Sequence, residues 1–246
     1  MRTSNPVFGS RFERFARESP SLEVMTVAGT ATKTAILLFI LFIASLVTWW
    51  ILFVEGNLGL VLILITAGFI GGLIVGLFTA FVPRYAKVTA PVYAVLEGLA
   101  IGGISGVFER IYPGILFQAV GLTFGVFALV LFLYRFRVLR ATPRFAKGII
   151  AATGAIFIVY MVGLVLSLFG RPVFFFYSSD PISIGFSVFV VAIASLNFVL
   201  DFGFIEEGAN QGAPKHIEWY AAFGLLVTLV WLYIEILRLL AKLRSR

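Results

Sequence analysis

Seven nearly continuous apolar runs order this chain, at 34–54, 58–82, 88–108, 113–134, 146–169, 182–205 and 217–241. A hydrocarbon core about 30 Å thick needs roughly 20 apolar residues at 1.5 Å rise each, so every run predicts a transmembrane helix. The separators are short, which predicts that consecutive helices are antiparallel neighbours in one bundle. The pattern therefore reads as an all-α integral membrane protein with seven transmembrane helices. A basic N-terminal segment at 1–33 precedes a membrane domain at 34–241, and a basic tail at 242–246 follows. The first run follows a long polar stretch and shows no small-residue cleavage site, so it is expected to stay as a helix and not to be removed as a leader.

Composition agrees with the pattern: 61% of the 246 residues are hydrophobic and 13% charged, far from the balance of a soluble enzyme. The chain has no cysteine, which excludes disulfides and thiolate metal sites. The net charge of +7 comes from short clusters between apolar runs, a pattern that sets orientation in a bilayer and argues against a nucleic-acid partner. Lys and Arg number five before the first run, then none, two, one and five through the first four loops and their flanks. That alternation predicts a cytoplasmic N-terminus and cytoplasmic second and fourth loops. Seven crossings then carry Arg238, Lys242, Arg244 and Arg246 outside, against the charge rule, so either the last segment is re-entrant or the earlier loops dominate; its length favours a full crossing. Near the start, Phe8, Phe12 and Phe15 recur at helical spacing beside Arg11, Arg14 and Arg17, which fits a basic amphipathic helix on the inner surface or a solvated tail.

Two glycine series stand out. Gly68, Gly72 and Gly76 repeat every four residues in the second run, and Gly98, Gly102 and Gly106 do so in the third. No hydrophobic effect drives helices together inside lipid, so small residues that admit close backbone approach supply the packing. The second and third helices are expected to pack tightly, against each other or against neighbours.

Ionisable groups inside an apolar run cost roughly 2.5 to 3.5 kcal/mol each even on lenient insertion scales, so each is a functional candidate. Glu97 falls near the middle of the third run and Asp201 one turn before the end of the sixth. Glu218 opens the seventh, Glu235 lies near its far end, and Arg84 stands between the second and third. Depth arithmetic puts Arg84, Asp201 and Glu218 near one end and Glu235, Glu109 and Glu55 near the other. An acidic mouth, a midplane Glu97 and a charged inner gate are expected to line a cation or proton route, with Asp201 sensing pH. Ala221, Thr228 and Glu235 repeat every seven residues and are expected to face inward.

One rival chemistry is weak. Gly103-Ile-Ser105-Gly106 resembles the Gly-x-Ser-Gly of rhomboid-type intramembrane proteases, but that serine needs a histidine base. The single histidine, His216, precedes the seventh run on the inner side, whereas Ser105 lies toward the outer end of the third. Helix packing explains the motif better, and no enzymatic activity or cofactor is expected.

The stretch Ser195-Leu-Asn-Phe-Val-Leu-Asp201-Phe-Gly-Phe-Ile205, with the run through Leu-Tyr-Ile-Glu235-Ile-Leu-Arg238-Leu-Leu, resembles the last two helices of the transmembrane Bax inhibitor motif family. The region from Pro91-Val-Tyr-Ala-Val-Leu-Glu97-Gly to Thr123-Phe-Gly-Val-Phe is similar to its third and fourth helices. The resemblance, to a bacterial-type member, implies a seven-helix bundle with the last helix central, in the bacterial inner membrane. It also implies a pH-sensitive calcium leak governed by two aspartates and an arginine. Asp201 matches the first aspartate and Arg84 the arginine; Thr228 stands where the second aspartate belongs. Relatives lacking the pair are also linked with modulation of membrane proteases. The expected partners are thus the lipid bilayer and calcium or protons as permeant ions, or, in the alternative reading of a non-conducting regulator, another membrane protein.

Overall fold

The computed structural model describes residues 23–169 and 179–245, so the Phe8, Phe12 and Phe15 pattern lies outside the described residues. Among the described residues seven α-helices follow in order: α1 Val27–Phe53, α2 Leu58–Phe81, α3 Ala86–Ile111, α4 Ile115–Arg135, α5 Pro143–Leu168, α6 Pro181–Asn210 and α7 Ile217–Arg244. A 3-10 turn, Pro83–Tyr85, joins α2 to α3. The shortest helix, α4, has 21 residues and so runs about 30 Å, and all seven are long and apolar enough to cross a membrane. The chain is an all-α, seven-span integral membrane protein.

Local chemistry marks the helix ends. Thr26, Asn57 and Thr142 cap α1, α2 and α5, their side-chain oxygens accepting from Gly29, Leu60 and Phe145 N–H groups at 2.9, 3.0 and 3.3 Å. Gly56 and Gly114 turn the chain with φ of 68° and 82°, a left-handed backbone that glycine adopts without steric cost.

Two helices, α1 and α6, outrun their apolar stretches by more than a turn. The N-terminus of α1 reaches back to Val27, where Thr26 caps it, and the polar Thr30, Thr32 and Thr34 in this stretch place their hydroxyls on carbonyls one turn earlier, each at 3.0 Å. Similarly, α6 continues to Asn210 through Glu206 and Glu207. Asp201 therefore lies nine residues, about 13 Å, from the helix end and not one turn from it.

The helices divide into two compact units, with the division falling inside α6 and α7. Among the described residues, 23–113 and 203–227 form the first, and 114–169, 179–202 and 228–245 the second. In the first unit α3 lies along both α1 and α2, which touch each other little. Its glycines explain this. A Cβ on Gly98 would meet the Leu41 carbonyl oxygen and the Ala44 side chain, and one on Gly102 the Thr48 hydroxyl and the Ser45 backbone, so that face rests on α1. On the other side Gly68 of α2 comes so near α3 that a Cβ would stand 2.5 Å from the Leu96 carbonyl oxygen. The two stripes thus serve different seams: α2's faces α3, and α3's faces α1.

Side chains, not bare backbone, fill the second unit. Ile149, Ile156, Val190 and Ile193 form a buried cluster between α5 and α6, walled by Phe186, Leu196 and Trp231. Phe127 meets the rings of Phe198 and Phe202 edge-on at 5.1 and 5.8 Å. The most buried helix of the seven is α7, ahead of α3 (61% against 56% of the apolar window).

Candidate functional site

The second unit contains a seam with polar residues at heptad positions. On α6, positions 183, 187, 190, 194, 197 and 201 alternate steps of four and three, with Ser183, Ser187, Asn197 and Asp201 polar and Val190 and Ala194 apolar, and on α7 positions 228, 235 and 242 repeat every seven. Alternating steps of four and three keep residues on one helix face along the contact with an antiparallel neighbour. At one end the Thr228 hydroxyl donates to Asp201 Oδ2 at 2.7 Å. At the other the Lys242 ammonium donates to Ser183 Oγ at 2.7 Å and Ser187 Oγ at 2.9 Å. Between them Glu235, buried, accepts from the Tyr160 hydroxyl at 2.9 Å and from Arg238 at 3.3 Å, while Arg238 also donates to the Tyr160 oxygen at 3.0 Å and covers its ring. Asn197 donates to Thr153 Oγ1 at 2.9 Å, tying α6 to α5. These pairings replace water for groups that lipid cannot solvate.

A different cluster closes one end of the first unit. Glu218, with no exposed surface, accepts from the Thr26 backbone N–H at 2.9 Å, the Thr26 hydroxyl at 3.0 Å and the Lys33 ammonium, and pairs with Lys215 at 3.2 Å. Beside it Met25 N–H donates to the Ala213 carbonyl at 2.7 Å, and Lys215 N–H to that of Glu23 at 3.2 Å. The chain just before α1 is thereby clasped to the α6–α7 turn.

Glu97 is the contrasting carboxyl of the first unit. It is 9% exposed and sits about 16 Å along α3. Its Oε2 faces Gly72, where a Cβ would stand 2.8 Å away, and Tyr93, one turn earlier, packs edge-on against Phe223.

The residues expected at a gate have different immediate surroundings. Asp201 and Thr228 come together. Glu218 is held by Lys33, Lys215 and Thr26, and Arg84 is exposed on the 3-10 turn. Of the expected mouth, Glu55 is exposed and Glu109 half-buried, while Glu235 is enclosed with Tyr160 and Arg238. Ala221, Thr228 and Glu235 are all buried, as their sevenfold spacing suggests. Sequence reading missed Lys33, Tyr160, Ser183 and Ser187 as partners and took Lys242 for part of the tail. The sevenfold repeat through Thr228 and Glu235, extended once more, reaches Lys242. No group of three or more His, Asp or Glu side chains placed to hold a metal ion occurs among the described residues.

Helix number, apolar surface and intramembrane polar seam together define a polytopic membrane protein, not a soluble domain. Within that class a family match is explicit: the family described as Bax inhibitor 1 like matches residues 5–245, essentially the whole chain, and the chain belongs to that family. No curated protein and no solved structure matches it.

Proposed function

We propose that the protein is a pH-sensitive cation leak, with calcium the expected ion, in which Asp201 is the responding group. The observation that carries this reading is the Asp201–Thr228 pair. Among the described residues this carboxyl inside a membrane helix receives one neutral hydroxyl, which leaves acceptor capacity for a proton or a passing cation. Membership of the Bax inhibitor 1 like family supports the same reading. The role is transport without catalysis, in a bacterial inner membrane with the N-terminus cytoplasmic; the Lys and Arg alternation of the early loops supports that orientation.

The one-carboxylate site also bears on selectivity. Ca²⁺ takes six to eight oxygen ligands, commonly with several carboxylates, so a lone Asp201 favours passage over retention. The same feature motivates a second reading, a non-conducting regulator of another membrane protein such as a protease. Ion flux in vesicles containing this protein alone separates the two, since a regulator conducts nothing by itself.

A further inference from the structure

The Lys242 ammonium is an unusual occupant of the α6–α7 seam. It is 5% exposed, and all three of its donors are used: Ser183 Oγ at 2.7 Å, Ser187 Oγ at 2.9 Å and the Ser183 carbonyl oxygen at 3.4 Å. No carboxylate lies within ion-pair distance of it among the described residues. The charged groups around it are Asp180 ahead of α6, and Glu235 and Arg238 on its own helix. Glu235 is already engaged by Tyr160 and Arg238, and Asp180 accepts from the Ser183 N–H at 2.8 Å. A buried cation is normally paired with an anion, whereas this one rests on neutral oxygens alone.

We propose that Ser183 and Ser187 form a monovalent-cation site that the protein fills with its own Lys242 ammonium. Two hydroxyls and a carbonyl suit a singly charged, hydrogen-bonding cation. They do not suit Ca²⁺, which needs more oxygens at about 2.3 to 2.6 Å. Because Lys242 stands two heptads from Thr228, about 21 Å along α7, the tethered ammonium closes the end of the seam remote from Asp201. A cation moving along the seam meets a fixed like charge until that side chain withdraws. This second step rests on the leak reading above; the cation site does not.

Truncation to Lys242→Ala removes the stem and ammonium, leaving a cavity that propylammonium matches in length and charge. In the purified full-length variant, propylammonium is expected to raise the melting temperature by several degrees. Propanol should not, and the wild type should not respond. Adding Ser183→Ala and Ser187→Ala should abolish the shift. In proteoliposomes the leak of Lys242→Ala is expected to exceed that of the wild type several-fold and to fall again with propylammonium. Lys242→Met, which keeps the apolar stem, supplies the flux comparison if the alanine variant folds poorly. A folded Lys242→Ala that ignores propylammonium, or responds equally to propanol, overturns the cation site. A melting shift without flux in any variant leaves the site standing and sinks the leak. Flux without either propylammonium effect does the reverse.

Discussion

Glu218 and Asp201 are both carboxylates on membrane helices, yet their surroundings assign them opposite roles. Glu218 receives a backbone N–H, a hydroxyl and two ammonium groups, drawn from α1 and from the turn ahead of α7. Its acceptor capacity is filled by groups from distant parts of the chain, which is what a structural tie requires. Among the described residues Asp201 has one neutral donor, Thr228, on the neighbouring helix. A carboxyl so lightly held can change protonation or partner without dismantling the fold. Which intramembrane acid can act as a switch is therefore a matter of how many donors it already has, not of how deeply it lies.

The contrast has graded consequences. Removing the filled acid should cost most. Glu218→Ala strands the Lys33 ammonium and the Thr26 cap, so a loss of about 3 to 5 kcal/mol is expected, read as a lower melting temperature in detergent. A change below about 1 kcal/mol would show that Glu218 is no tie. Next is the seam that brings α1 beside α3. Gly98→Val drives a side chain into the Leu41 carbonyl and Ala44, with an expected cost of about 1 to 3 kcal/mol or more in the same assay. Tyr160→Phe deletes one hydroxyl from the Glu235 and Arg238 group, and should cost about 1 kcal/mol. Smallest is Arg84→Ala on the exposed turn, within about 0.5 kcal/mol; if instead it alters pH response as Asp201→Asn does, the arginine belongs to the gate after all.

The seven helices and the two glycine stripes were legible because hydropathy and small-residue spacing are properties of single segments. Helix ends were not: hydropathy reports contact with hydrocarbon, whereas Thr30 and Thr34, or Glu206 and Glu207, continue a helix by backbone hydrogen bonding in spite of their polarity. In the site, the repeat of Ala221, Thr228 and Glu235 showed which face of α7 turns inward. The partners lay out of reach, since Lys33 meets Glu218 across 185 residues of sequence and Tyr160 meets Glu235 across 75. A depth argument put Glu218 at one level with Arg84 and Asp201 but could not show its partner Lys33, which lies in a polar stretch of sequence that α1 takes in once it starts at Val27.

Calcium flux into proteoliposomes containing only this protein, from about pH 6 to about pH 8, tests the assignment of Asp201 most directly. The wild type is expected to leak with a rate that varies across this range, and Asp201→Asn to fold normally and leak at a rate independent of pH. A wild type no leakier than empty vesicles at any pH, or an Asp201→Asn variant with an unchanged pH profile, would contradict it.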